Sequence, residues 1–191
     1  MSPAVTKASE SPLYRTMIQL IPLDESTLDG LIRDIDGGLR AIVTNRREAG
    51  KFLRPLLHQL RGFQEQVETS APWPGYLAIE PDGRRLVGMC AFKGSPNDDG
   101  EIEIAYETAP RFEGLGYATQ MARALVAIAF RAPEVRQVIA HTRPDSCVST
   151  RVLRNAGLHL DGEVIDPENG RVWRWEIARR ELPPEIRRNT P

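Results

Sequence analysis

The run Glu103-Ile104-Ala105-Tyr106-Glu107-Thr108-Ala109-Pro110-Arg111-Phe112-Glu113-Gly114-Leu115-Gly116-Tyr117-Ala118-Thr119 decides how this chain is read. From Glu101 to Thr108, charged and apolar residues alternate, the period of a strand with one wet face. From Gly116 to Arg131 the period becomes helical, with Ala118, Met121, Ala122, Leu125, Val126 and Ala129 on the inner side. Between them lie two glycines at a helix entrance. Glycine lets backbone approach a ligand closely. The first helical amides lack internal partners, and the macrodipole adds about half a positive charge there. A diphosphate suits such a site. A bare glycine turn that only shapes a helix start has the same pattern.

Within phosphate binding, two alternatives fail on residues. A Walker loop ends in Gly-Lys-Ser/Thr, which is absent. A dinucleotide fingerprint wants a third glycine where Thr119 stands, and an acidic residue ending the next strand, where His141 and Thr142 stand. What remains is a pyrophosphate loop following an antiparallel strand.

Upstream of the run, Tyr76–Glu80 and Arg85–Lys93 read as a hairpin about the turn Pro81-Asp82-Gly83, and the polar turn Ser95–Gly100 leads into the third strand. Earlier still, Tyr14–Leu23 reads as a strand, and Asp24 caps a helix carrying Leu28, Leu31, Ile32 and Ile35. Gly37-Gly38 is expected to break that helix. A stronger one is expected over Lys51–Glu68, with Pro55 in its first turn. Downstream, Val135–Thr142 reads as a buried strand, Val148–Asn155 as a short helix stopped by Gly157, and Leu158–Ile165 with Arg171–Ala178 as a strand pair. The order predicts one α/β domain, a mixed sheet with helices on both faces, over residues 14–178. Residues 1–13 read as a disordered lead and 179–191 as a flexible tail.

Composition sets outer limits. The 191 residues are 41% hydrophobic and 27% charged, with a net charge of -1, ordinary for a globular domain. No basic surplus points to nucleic acid. Cys90 and Cys147 form no CxxC, and His58, His141 and His159 are scattered, so no metal is expected. Two free thiols, a polar start and no long apolar run give a cytoplasmic, non-membrane expectation.

From about Trp73 to Glu176 the sequence resembles the GNAT superfamily of N-acetyltransferases. That family's loop is Gln/Arg-x-x-Gly-x-Gly/Ala. One register runs from Arg111 to Gly116, another from Glu113 to Ala118. The second keeps the proline and aromatic lead-in, as Pro110 and Phe112, and the Gly-Tyr-Ala-Thr ending at Gly116–Thr119. Glu113 then replaces the usual Gln or Arg. A second stretch, Thr142 to Leu158, resembles the family's Asn-x-x-Ser…Gly-Phe pattern: Ser149, Val152, Leu153 and Gly157 match, with Ser146 for the Asn and Leu158 for the Phe. The strand and loop look most like the branch that acetylates ribosomal-protein N-termini and related amines.

The resemblance implies the GNAT fold, with its sheet splayed near the strands of Tyr106 and Ala140. It implies acetyl-CoA as cosubstrate, held at Glu113, Gly114, Leu115, Gly116, Tyr117, Ala118 and Thr119. The pantetheine arm would pair with the backbone of Tyr106, Glu107 and Thr108 and meet Ser146. The acceptor would be a small-molecule amine or a peptide N-terminus, and the assembly a monomer or homodimer. A non-catalytic acyl-CoA-binding module on the same fold is the competing expectation.

Acetyl transfer to an amine calls for a base, because an amine with a pKa near 10 must lose a proton. Glu103 is one candidate and also reads as a salt-bridged strand carboxylate. His141, with a reference pKa of about 6.5, is another and also reads as a hydrogen-bonded core histidine. Ser149 is placed to hydrogen-bond the departing thiolate, as its counterpart is thought to do in similar enzymes, or to cap a helix. Leu153 stands where many relatives carry an acidic tyrosine. Trp73 with Pro72 and Pro74 lies where relatives build the acceptor pocket, or in the core.

Overall fold

The computed structural model describes residues 18–65, 75–145, 148–167 and 169–181. Strand β1 (Gln19–Leu23) leads into helices α1 (Glu25–Arg33), α2 (Ile35–Arg40) and α3 (Arg46–Glu65). A meander follows: β2 (Gly75–Glu80), β3 (Arg85–Phe92) and β4 (Glu101–Thr108). Then come α4 (Tyr117–Ala129), β5 (Gln137–Thr142), α5 (Val148–Ala156), β6 (His159–Asp166) and β7 (Gly170–Ala178). The strands form a seven-stranded sheet in the order β1-β2-β3-β4-β5-β7-β6. Only β4 and β5 run parallel. The single mixed sheet predicted from the element order is the one observed.

Each face of the sheet has its own core. Leu28, Leu31, Ile35, Leu39, Leu53 and Leu57 of α1–α3 bury against Leu77, Ile79, Leu86, Met89 and Ala91. On the other face, Met121, Ala122 and Leu125 of α4 and Leu153 of α5 bury against Cys90, Phe92, Ile102, Ile104, Ala140 and Trp175. Strand alternation makes this division automatic. Trp175 is fully buried, and its indole N–H donates to Thr142 Oγ1 at 3.1 Å. The α1–α3 core takes in β1–β3 residues only. On that same face, the farther strands carry Glu101, Glu103, His141 and Arg174 instead of an apolar surface.

Several local expectations shift. Gly37 and Gly38 lie inside α2, and the break falls at Asp34. Asp34 ends α1 and caps α2 by accepting from the Gly37 amide at 2.9 Å. A side chain at Gly37 would strike the Asp34 carboxylate, and one at Gly38 would come within 2.7 Å of Leu31 Cδ2. These glycines therefore permit close approach and do not terminate the helix. α3 starts at Arg46, so Pro55 is an interior residue and not a first-turn one. Its missing N–H leaves one ladder position unfilled, while Leu53, Leu57 and Leu60 keep the helix docked. Arg179–Glu181, expected to open the tail, form a short 3-10 turn. There the Arg179 guanidinium donates to the carbonyls of Phe130, Ala132 and Val135, just beyond α4. Residues 1–13, Tyr14 to Met17, Gln66 to Glu68, Pro72, Trp73, Pro74, Ser146, Cys147 and the residues from Leu182 lie outside the described residues.

Gly88 gives the tightest approach near the middle of the sheet. A Cβ there would sit 2.5 Å from the Glu107 carbonyl oxygen and 2.8 Å from Met121 Cε. Gly30, within α1, has nothing within 4 Å. Gly88→Ala is expected to destabilise by about 1–3 kcal/mol through overpacking. Gly30→Ala is expected to stabilise by up to about 1 kcal/mol through helix propensity. Denaturant melts of the two variants check both signs.

Candidate active site

The site begins with the way β4 divides its hydrogen bonds. The Lys93 amide donates to the Glu103 carbonyl and the Ala109 amide to the Val87 carbonyl, both at 2.9 Å. Antiparallel alternation then turns the backbone groups of Glu103, Ala105 and Glu107 toward β3. Those of Ile104, Tyr106 and Thr108 point the other way, toward β5. Yet β5 pairs with β4 only at Glu101, Ile102 and Glu103, opposite Gln137, Val138 and Ile139. Beyond that, β4 stays on β3 through Thr108, and β5 stays on β7 through Thr142. Each strand keeps its outer neighbour and parts from its inner one. The sheet opens between Tyr106 and Thr108 on one side and the end of β5 on the other. This splay falls where the resemblance implies it. Of the three backbones expected to line it, Tyr106 and Thr108 face the opening. Glu107 does not, because its backbone belongs to the β3 ladder.

The glycine loop lies directly past the end of β4. Pro110–Phe112 make a 3-10 turn, and Glu113 ends it in an extended conformation. Gly114 and Gly116 follow at φ +74° and +85°, the left-handed region that favours glycine. Gly116 is the N-cap of α4, and no side chain caps that helix. The first-turn amides at Tyr117, Ala118 and Thr119 therefore carry the helix's positive end without a competing side-chain acceptor. A Cβ at either glycine would meet nothing within 4 Å, so the space beside the loop is open. The Tyr117 ring is buried edge-on against Phe112, with centroids 6.0 Å apart. It anchors the loop and leaves only its backbone available. The Leu115 side chain is exposed, at 59%.

On the α1–α3 face, beside the last paired residues, Glu103 and His141 come together. His141 Nδ1 lies 2.9 Å from Glu103 Oε1, and Lys93 Nζ lies 2.5 Å from the same oxygen. All three are mostly buried. Burial alone raises a carboxyl pKa, but hydrogen bonds from His141 and Lys93 and their charges outweigh it and hold Glu103 below its ordinary value. An ionised Glu103 only accepts, so the proton in this contact sits on His141 Nδ1. The neighbouring charges are also paired. Arg174 on β7 reaches Glu101 at 2.6 Å, Asp161 at 3.2 Å and Glu176 at 3.5 Å.

The structure thus joins Glu103 to His141. Ser149 stands apart from them in the first turn of α5, partly buried, and Leu153 behind it is fully buried. Lys93 was missed as a site residue. The signal was present: counting the hairpin back across Ser95–Gly100 sets residue 93 opposite residue 103. On the same face, a cleft of about 520 Å³ lies between α3 and the end of β4, lined by Glu48, Lys51, Phe52, Leu56, Glu107 and Arg111 among others. Arg111 crosses it to Glu48 at 3.0 Å.

Comparison with known proteins gives a family and a fold. Residues 32–159 match the family described as acetyltransferase (GNAT) domain. An uncharacterized N-acetyltransferase of Bacillus subtilis (strain 168), YjdG, is 27% identical over 86 residues, 45% of this chain and 51% of its own length. The chain thus spans about half the length of that relative. Among solved structures, the aminoglycoside acetyltransferase AAC(6')-Ib with coenzyme A and kanamycin superposes with a TM-score of 0.58 at 18% identity, covering 91% of this chain and 99% of that one. RimL, the ribosomal L7/L12 alpha-N-protein acetyltransferase with coenzyme A, gives 0.58 at 17% identity, covering 87% and 96%. At these identities the two structures share the fold.

The lowered carboxyl of Glu103 fixes a pH dependence. A carboxylate with a depressed folded pKa contributes stability above its unfolded value, about 4.3. That contribution is lost as pH falls through the lower folded value. The stability difference between the native chain and Glu103→Gln is therefore expected to shrink as pH falls below about 4. Paired urea melts across that range measure it.

Proposed function

Because this chain belongs to the acetyltransferase (GNAT) domain family, we propose that it transfers an acetyl group from acetyl-CoA to a primary amine. The observation that carries this reading is the opening of the sheet beyond Glu103 and Ile139, with the uncapped start of α4 at one end and the Glu103–His141 pair at the other. The residues present suit the cosubstrate. First-turn amides at Tyr117–Thr119 and the left-handed glycines hold a diphosphate. Backbone groups of Tyr106 and Thr108 receive an amide-bearing arm as a sheet receives an added strand. Thr108 Oγ1, buried and without a hydrogen-bond partner among the described residues, offers a further polar contact.

Acetyl-CoA supplies the activated thioester, and the chain supplies alignment and proton handling. The amine nitrogen attacks the thioester carbonyl carbon; a C–N bond forms and the C–S bond breaks. The proton lost by the amine goes to His141 Nε2, with Glu103 holding the ring through Nδ1. Ser149 donates to the departing sulfur, which leaves as the CoA thiol after taking up one proton. The acceptor enters from the face bearing Glu103, past the cleft between α3 and β4. A small-molecule amine and a peptide N-terminus are the two classes, in keeping with the kanamycin and L7/L12 named for the fold relatives. A cytoplasmic setting accompanies this reading.

Calorimetry with CoA and a radiolabelled acetyl assay over an amine panel test it. Native chain is expected to bind CoA and to acetylate at least one amine. Gly116→Val, forced into a left-handed backbone, is expected to weaken CoA binding at least about tenfold. His141→Ala is expected to keep CoA affinity within about twofold and to lower kcat by about 10²-fold or more. CoA binding with no transfer to any amine would leave an acyl-CoA-binding module in place of an enzyme.

A further inference from the structure

Lys93 is not part of the loop, the opening or the proposed proton-transfer pair, yet its ammonium lies 2.5 Å from the Glu103 oxygen that His141 also contacts. Both donors converge on Oε1. A carboxylate beside an imidazole, alone in a mostly buried place, favours a second proton on the pair, because an ion pair is cheaper there than an uncompensated anion. A permanent cation on the same oxygen removes that incentive. The carboxylate is already neutralised, and a further positive charge on the ring would face the ammonium across one shared atom.

We propose that Lys93 is a positioning residue that keeps the Glu103–His141 pair free of its second proton near neutral pH, so that His141 Nε2 stays available as a base. This rests on the proton role given to His141 above, but its physical content concerns the pair itself. The ion pairs of the adjoining strands lie beside this cluster. On β4, Glu101 is engaged by Arg174 of β7, which also reaches Glu176 on its own strand and Asp161 on β6. His159 on β6 lies 3.5 Å from Glu176 and 3.9 Å from Glu181. Arg174 and His159 are thus paired with other carboxylates, while Lys93 is the lysine or arginine that contacts Glu103 in the described residues. Its side chain is 31% exposed, so its ammonium can be removed without opening the core.

The test compares native chain with Lys93→Met, Lys93→Gln and Lys93→Arg, read by the pH profile of kcat/KM and by nitrogen-15 NMR of the His141 ring. Native chain and Lys93→Arg are expected to show the neutral ring with its proton on Nδ1 at pH 7.5. Lys93→Met and Lys93→Gln are expected to take up a proton at a pH about one unit higher, the size of shift a nearby charge partly screened by solvent produces. Their acid limb moves up equally, giving up to roughly tenfold less activity on the acid side of the profile and recovery to within about twofold at high pH. A merely structural lysine would lower activity at every pH and leave the ring titration in place, which overturns the proposal. So does an arginine variant that titrates like the methionine one. If native chain acetylates nothing while the ring still titrates with the charge at position 93, the acetyl-transfer reading fails and the role of Lys93 stands.

Discussion

Among the described residues, three strand pairs, Glu101–Glu103 against Gln137–Ile139, with the Gly100 carbonyl accepting from the Arg136 and Gln137 amides beside them, make the backbone join between the two halves of the sheet. Everything else about the site follows from how little that join covers. Had β4 and β5 zipped to their ends, the backbone groups of Tyr106 and Thr108 would belong to a ladder and no room would exist for a substrate arm. The opening survives because each strand is held by its other neighbour along its full length, and because α4 buries against both halves at once. An unfilled stretch between strands normally invites unwanted pairing. Here both strands are interior, with a packed core on one side, so the exposed groups face a defined slot.

The short join is reinforced from the wet face. Arg174 reaches from β7 across β5 to Glu101, and His141 reaches from β5 to Glu103. The pair assigned to proton handling is thus also a staple at the apex of the opening. This ties the proposed chemistry to the architecture: the ring given the proton role is held by a contact that links the two strands. It also explains why that stretch of β4 alternates glutamate with isoleucine. Ile102 and Ile104 fill the core under α4, and the glutamates cross-link the sheet above.

Much of this was legible in the residues. The glycine pair at a helix entrance, the alternation of β4 and the element order led to a mixed sheet with a glycine turn opening α4, and the sheet and that turn are observed. Local periodicity carries such information because it depends on near neighbours. What escaped was set by distant parts of the chain. Gly37-Gly38 looked like a helix break, but the tight fit against Asp34 and Leu31 is a packing demand that no local rule reports. Pro55 looked like a first-turn residue because the polar Arg46-Arg47-Glu48 turn hid the true start of α3. Glu107 was grouped with Tyr106 and Thr108, since hydrogen-bond direction needs a register and not just a strand. Lys93 was overlooked for the same reason. Arg179 read as tail because its acceptors, the carbonyls of Phe130, Ala132 and Val135, are dozens of residues earlier.

The loop glycines carry one more lesson. At Gly114 and Gly116 there is ample volume for a side chain, yet the backbone sits at positive φ. What the loop rejects is therefore handedness and not bulk. A D-alanine placed at either position by chemical synthesis would sit in its own preferred basin and stiffen the turn, whereas its mirror image would have to be forced there. Substitution at these two sites is limited by stereochemistry, in a part of the molecule where volume alone would admit almost any side chain.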